Sequence, residues 1–258
     1  MYLKYRENYY SQNGEDGIIK KIIEDLKLEK NKLSVCEFGA WDGIHFSNTF
    51  NLVEKLNAKA LYIEGDKEKF RLLLQTKKKY STIIPVDKFV VKTGINSLDQ
   101  ILYENKFQKN FDVLSIDIDS YDLDIWENLK NYLPKIVIIE INSSILPKIH
   151  QRHSPENSQF GNSFSSTLSV GNKKGYTLIA HTGNLIFVNN DHLKKLNFPK
   201  ELLDNQDLLF NKEFLKKVTL EPFILTMLKF AIPTFLRKKI PNDMKSKILR
   251  LLYRFKYR

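Results

Sequence analysis

The stretch VCEFGAWDG, residues 35–43, decides the fold. An apolar run carrying Glu37 stops at Gly39, Ala40 and Trp41 lead into Asp42 and Gly43, and apolar residues at helical spacing resume at Phe50, Leu52, Val53 and Leu56. That order is strand, tight turn, helix. Glycine accepts φ > 0 and lets a ligand approach the backbone, so such a turn at a strand end is a place for a nucleotide. The spacing is not the GxGxxG of dinucleotide sites, and the GK[ST] of a P-loop is missing, which disfavours NAD and ATP held in those ways. Ser47, Asn48 and Thr49 are candidate N-caps of the helix.

The same alternation runs through the neighbouring sequence. Helical periodicity covers Gly17–Leu28, Lys67–Lys78, Ser97–Tyr103 and Leu123–Asn131. Short apolar runs cover Leu33–Phe38, Ala58–Glu64, Thr82–Val86, Phe111–Ile116 and Ile136–Ile141. These runs are continuous, not alternating, as expected of strands covered on both faces of a parallel sheet. Tyr176–Ala180 and Leu185–Val188, joined across HTGN, read as a terminal antiparallel pair. The expected fold is α/β: a doubly wound, Rossmann-type sheet, mostly parallel with a terminal antiparallel strand, over residues 31–190. An arm and helix, 1–30, precede it. After residue 190 short helices are punctuated by Pro199, Pro222, Pro233 and Pro241, so 191–258 reads as a basic helical extension. GNSFSSTLSVG, 161–171, reads either as a flexible loop or as a polar lid over an acceptor.

The net charge is +11. Most of the excess lies after Phe214, where twelve Lys or Arg stand against two Asp or Glu. The rest of the chain is close to balanced, so no nucleic-acid face is expected on the main domain. The tail segments FILTMLKFAIPTFLRKK and ILRLLYRFKYR are apolar at helical spacing with basic neighbours. Two readings stay open: an amphipathic helix on an anionic membrane surface, or one packed on the main domain or on a second subunit of a homodimer. The single cysteine, Cys36, sits in an apolar strand and reads as a buried, inert thiol. The polar start carries no signal peptide and no apolar run of about 20 residues exists, so a cytoplasmic chain is expected, peripheral to the inner membrane face if the tail binds it.

Further acidic residues mark strand ends. Glu64, followed by Gly65, closes the second strand, where a ribose diol would be held by two hydrogen bonds. In SIDIDSYD, 115–122, Asp117 and Asp119 end the fourth strand, and Glu140 and Asn142 end the fifth. Two readings compete for Asp117. With Glu140 and Asn142 it offers hard oxygen ligands for Mg²⁺ or Mn²⁺; alone it is a general base or acceptor for the substrate. Ser120, Asp122 and Asp124 fit helix capping best. His150 and His153, in the loop after the fifth strand, and His181, in the terminal hairpin, are candidate bases. His45 lies beside the glycine loop.

YSQNGEDGII (10–19), VCEFGAWDGIHFSNT (35–49), LYIEGD (61–66), FDVLSIDIDSYDLDIW (111–126) and IVIIEINSSI (136–145) together resemble the FkbM-like S-adenosylmethionine-dependent methyltransferases, in the branch found among bacterial capsule and surface-polysaccharide enzymes. The resemblance covers roughly residues 8–190 and implies a class I methyltransferase sheet. It also implies that Glu37, Gly39, Ala40, Asp42 and Gly43 lie near the methionyl group and that Glu64 and Gly65 meet the ribose. Asp87, Lys88 and Phe89 would border the adenine, Gln12 and Asn13 would close the pocket, and Asp117 would adjoin the methyl group. The implied substrate is a small-molecule sugar, nucleotide-linked or not. Methylation of a small phosphorylated amine, and a non-catalytic role as partner in a glycan assembly, are the alternatives.

Overall fold

The computed structural model describes residues 1–118, 120–154 and 161–215. Seven strands make one sheet: β1 (Ser34–Phe38), β2 (Lys59–Glu64), β3 (Ile83–Asp87), β4 (Val113–Ile116), β5 (Ile136–Glu140), β6 (Tyr176–His181) and β7 (Asn184–Asn189). Their order is β3-β2-β1-β4-β5-β7-β6. The pairs among β1 to β5 are parallel; β7 runs antiparallel to both β5 and β6. The mostly parallel, doubly wound sheet expected from the apolar runs is the one observed. Its order reverses between β1 and β4, paired from Val35↔Val113 to Phe38↔Ile116. The crevice at the carboxyl ends of these strands is the topological switch point, where ligands of such sheets bind.

Both faces of the sheet are buried, which is why the strands read as unbroken apolar runs. Cys36, Phe38, Leu61, Ile63, Leu114 and Ile116 point to one face. Ile101 of α4 (Leu98–Glu104), Trp126 of α5 (Asp122–Asn128) and Phe164 of α6 (Phe164–Lys173) cover them. Val35, Ala60, Tyr62 and Val113 point to the other face, under Ile18 of α1 (Glu15–Asp25), Val53 of α2 (Phe50–Leu56) and Leu73 of α3 (Lys67–Lys79). Full burial of each large apolar side chain contributes about 1.5–3 kcal/mol. Burial also pushes the Cys36 thiol pKa up, in keeping with an inert residue.

Several boundaries differ from the sequence reading for local reasons. Of the three candidate caps, Ser47 does the capping: its Oγ accepts the Phe50 and Thr49 N–H groups at 2.9 and 3.2 Å. Helix α5 stops at Asn128, because the Lys130 and Asn131 N–H groups turn to the Asp99 carboxylate at 2.8 and 2.9 Å. The segment expected as a loop or lid, 161–171, is mostly helix α6. Ser163 caps it through the Ser166 N–H. Its remaining hydroxyl capacity goes to the preceding loop, Ser163 Oγ accepting the Gln151 N–H at 3.0 Å and Ser165 Oγ the Lys148 N–H at 2.7 Å. Phe164, Thr167 and Val170 repeat at helical spacing on its buried face.

The chain divides into two units, Met1–Asn211 and Lys212–Arg258. The first runs past the expected boundary at 190. It includes α7 (Asn190–Leu193) and α8 (Lys200–Asp204), and Leu209 and Phe210 join the core. Gln206 Oε1 accepts the Leu178 N–H of β6 at 3.0 Å, tying this stretch to the sheet edge. The amphipathic tail segments, and the membrane or subunit contact read from them, lie outside the described residues. Among the described residues no helix is long and apolar enough to cross a membrane.

Candidate functional site at the switch point

Gly39, at φ +76°, turns the chain out of β1. A Cβ there would overlap the Asp117 carbonyl oxygen, so the ends of β1 and β4 touch at this point. The Gly39 and Ala40 N–H groups both donate to Ile63 O, at 3.1 and 3.2 Å, and draw the loop against β2. Gly43, at φ +78°, packs against Tyr62 and Leu73. Two large residues of this loop, Trp41 (φ +51°) and Phe46 (φ +59°), are also left-handed. Each such residue costs about 1–2 kcal/mol. Strain of this kind clusters at ligand sites, where the surroundings hold it.

The acidic residues of the loop divide their work. Glu37 is buried behind it and accepts the Ser47 and Thr49 hydroxyls and the Asn48 N–H. Burial raises its pKa, with those hydrogen bonds pulling the other way. Glu37 therefore braces the loop from inside. Asp42 accepts the Ile44 and His45 N–H groups at 2.9 and 2.8 Å and the His45 ring nitrogen. Burial works to raise the Asp42 pKa, but the bonds from His45 and Ile44 outweigh it and hold the group below the usual range. It stays a carboxylate that shapes the turn.

Glu64 joins the two glycine turns. It is 6% exposed. Its Oε2 accepts the Trp41 N–H and its Oε1 the Asp66 N–H, both at 2.8 Å. A carboxylate has about four acceptor sites, so each oxygen retains capacity for one more donor. The Phe89 ring lies against Gly65 so closely that no side chain fits there, yet Phe89 is 69% exposed. Its neighbours face elsewhere: Asp87 pairs with Lys67 and Lys88 with Glu104, both at 2.6 Å. An exposed ring held beside a strand-end carboxylate is a platform for a planar ligand.

The N-terminal arm is pinned by two carboxylates that the sequence reading passed over. Glu15 is fully buried and accepts the Thr182 hydroxyl at 2.7 Å, the Asn184 amide at 3.3 Å and the Asn13 N–H at 2.8 Å. Asp16 Oδ2 accepts the N–H groups of Tyr9, Tyr10 and Ser11 at 3.0, 2.7 and 2.7 Å. Burial raises the pKa of both. Asn13 is thus bound to Glu15 through its backbone, and Gln12 receives the Asn8 amide on its carbonyl. The only signal was two adjacent acids ahead of an apolar helix, a pattern that ordinarily marks a solvated first turn.

Asp117 is half-buried at the end of β4, its N–H 3.4 Å from Phe38 O. Glu140 ends β5, also half-buried. Asn142 directs its amide oxygen to the N–H and hydroxyl of Ser144. The topology brings these three residues to one sheet edge. Asp122 opens α5 but does not cap it, unlike the expectation from its sequence: its oxygens accept the Ile118 and Ser120 N–H groups of the preceding loop at 2.8 Å, and no side chain caps the helix. Asp119 lies outside the described residues.

The histidines separate by burial. His150 is exposed. His153 is half-buried, stacked edge-on against Tyr121 at 4.6 Å between ring centroids, with Lys92 4.2 Å above the Tyr121 ring. His181 is 0% exposed, and its expected role as a base is corrected. Its Nδ1 accepts the Asn211 N–H at 2.9 Å, so Nε2 carries the proton and donates to Ser143 Oγ at 2.8 Å. Burial pushes its pKa down to about 3. It cannot exchange protons with a substrate and serves the fold.

This burial has a measurable consequence. The unfolded histidine binds a proton below about pH 6.5, whereas the folded one does so only near 3. The stability His181 contributes is complete above pH 6.5 and is lost as the pH falls from there. The expected slope is ~1.4 kcal/mol per pH unit. Urea unfolding at pH 7 and pH 5.5 should show the native protein losing stability relative to His181→Asn by ~1.3 kcal/mol. Glu15, Asp16 and Glu37, with raised values, act in the opposite sense but are common to both proteins and cancel in the difference. A difference independent of pH would show that His181 is protonated or solvated when folded.

No family model and no curated protein matches the chain. Solved structures of similar fold do. One is the M. capricolum TrmK in complex with S-adenosyl-homocysteine, at 18% identity and TM-score 0.40, covering 91% of this chain and 93% of that one. A second is a SAM-dependent methyltransferase from Aquifex aeolicus, at 13% identity and TM-score 0.41, covering 66% and 87%. A third is a caffeoyl-CoA O-methyltransferase, so assigned without proof, from Staphylococcus aureus, at 16% identity and TM-score 0.44, covering 66% and 79%. The strand order, rather than these likenesses, carries the fold.

Proposed function

We propose that the chain is an S-adenosylmethionine-dependent methyltransferase that methylates an oxygen of a sugar, free or nucleotide-linked, of the kind used in surface polysaccharides. The observation that carries the cofactor reading is the joint at Glu64. One carboxylate holds both glycine turns through the Trp41 and Asp66 N–H groups, retains acceptor capacity on each oxygen, and stands beside the exposed Phe89 ring. A ribose diol on Glu64 and a base on Phe89 suit that arrangement. The sugar acceptor rests on the family resemblance.

When bound, S-adenosylmethionine supplies a methyl group on a sulfonium. The protein's part is orientation and proton removal. The acceptor hydroxyl, on taking that methyl group, would have to give its proton to a nearby group of the protein. Asp117, half-buried where β4 meets Gly39, is our choice for that proton acceptor. The metal-free role is preferred to a Mg²⁺ or Mn²⁺ site because Asn142 turns its amide oxygen to Ser144.

The test is incubation with S-adenosylmethionine and a panel of sugars, nucleotide sugars and phosphorylated amines, read by mass for the gain of one methylene. A sugar product supports the reading, and transfer to an amine replaces it with N-methylation. Absence of any calorimetric signal with the cofactor removes the enzyme reading and leaves a non-catalytic partner. Asp117→Asn should lower turnover by about 10²–10⁴-fold with cofactor affinity unchanged. Chelation with EDTA should leave turnover intact. A loss that Mg²⁺ restores would reinstate a cation at Asp117, Glu140 and Asn142.

A further inference from the structure

The loop that leads from Asp117 into α5 is pinned from two sides. The Asp122 carboxylate accepts its Ile118 and Ser120 N–H groups. Asn162, 3% exposed, donates its amide to Ser120 O at 3.2 Å, accepts the His153 N–H on its side-chain oxygen at 3.0 Å and takes the Asn142 N–H on its carbonyl at 2.9 Å. One buried amide thus joins the loops after β4 and β5. The pinned loop ends at Tyr121, half-buried and packed against the core. Two other loops clamp its ring. Lys92, after β3, sets its ammonium 4.2 Å from the ring centroid, and His153, after β5, meets the ring edge-on at 4.6 Å. Asp124 holds Lys92 in turn, at 3.2 Å. The Tyr121 hydroxyl has no hydrogen-bond partner among the described residues, yet it is not closed off from solvent as the unpaired indole N–H of Trp126 is.

We propose that the Tyr121 hydroxyl binds the methyl acceptor through a second hydroxyl, one that is not itself methylated. Tyr121 stands four residues past Asp117 on the same loop of the switch point. Stability does not call for a phenol there, since phenylalanine would pack the same ring against Lys92 and His153. A phenol O–H both donates and accepts a hydrogen bond, as a sugar hydroxyl does, so the two can pair in either sense. Contacts from three loops fix the ring beforehand, so little side-chain freedom is lost when the acceptor arrives. The ammonium occupies one face of the ring and the core takes part of the rest, which leaves the hydroxyl, rather than stacking, to make the contact. The inference rests on the methyltransferase reading and narrows it to acceptors with at least two hydroxyls.

The experiment compares the native chain with Tyr121→Phe, on the sugar that the mass panel returns and on its monodeoxy analogues. The variant keeps the ring and removes one hydroxyl. It should raise the KM of the sugar about tenfold, change kcat by no more than about twofold and leave the Kd of S-adenosylmethionine unchanged. One deoxy analogue should cost the native chain the same factor in KM and cost Tyr121→Phe nothing further, a coupling that a general loosening of the loop would not produce. N-acetylimidazole, which passes its acetyl group to an open phenol and releases imidazole, tests the hydroxyl without any substrate. Tyr121 should be acetylated, as should Tyr103, which is 72% exposed. Tyr121 unmodified while Tyr103 reacts, or a KM indifferent to the lost hydroxyl, would overturn the proposal and leave the methyltransferase reading standing. A product formed only from an amine without hydroxyls would overturn it together with the sugar reading, and a chain that neither binds S-adenosylmethionine nor yields a product would overturn it together with the enzyme reading.

Discussion

Gly39→Ala is expected to destabilise the protein by at least ~3 kcal/mol and to abolish binding of S-adenosylmethionine. The backbone at 39 is left-handed, which costs an alanine about 1–2 kcal/mol. The added Cβ would also overlap the Asp117 carbonyl oxygen. That oxygen belongs to backbone continuing from a central strand with sheet partners on both sides, so it has little room to retreat. The two effects together take a large share of a total stability of ~5–15 kcal/mol. For a unit of this size they should lower Tm by about 6–12 °C. Gly94→Ala is the control. Gly94 has a similar φ, +92°, but open space around its Cβ, so only the conformational cost applies. Equal melting of the two variants would show that β1 and β4 are not locked together at the switch point.

What the sequence disclosed follows from what is local. Gly39, Glu64 and the unbroken apolar runs are local signals, and they locate the sheet and the two glycine turns without any tertiary knowledge. The hairpin of β6 and β7 was legible for the same reason. Its placement, with β7 inserted beside β5, was not, because that choice depends on which edge of the sheet is free. Helix α6 was hidden by its serines, which suggest a loop until Ser163 and Ser165 are seen to bind the N–H groups of Gln151 and Lys148. His181 looked like a base because burial is not written in its neighbours. Phe164 and Phe210, at 5.8 and 5.0 Å between ring centroids, enclose it from distant parts of the chain. Glu15 and Asp16 were passed over because nothing in their neighbours records burial: Asp16 collects donors from the arm, and Glu15 from the arm and the hairpin turn.

Glu64→Gln should be the most damaging conservative change for cofactor binding, and the reason is the direction of its hydrogen bonds. The carboxylate accepts an N–H on each oxygen, from Trp41 and from Asp66. An amide offers one oxygen and one NH₂, so it meets one of those two N–H groups with a donor. The turn that misses its acceptor must shift, and with it the strained Trp41, whose left-handed backbone this bond helps to hold. The variant also loses the negative charge that a ribose diol would bond. Two charge-assisted hydrogen bonds at ~1.5 kcal/mol or more each amount to ~3 kcal/mol, at least a hundredfold in Kd. Asp87→Asn removes a nearby carboxylate whose partner is the exposed Lys67, and such a surface pair contributes no more than ~1 kcal/mol. Titration with S-adenosylmethionine should therefore separate the two variants by about two orders of magnitude. Comparable affinities for Glu64→Gln and the native protein would place the ribose elsewhere and dismantle the cofactor reading built on Glu64. Because neither substitution touches Asp117 or the acceptor side of the sheet, that outcome would be independent of which hydroxyl is methylated.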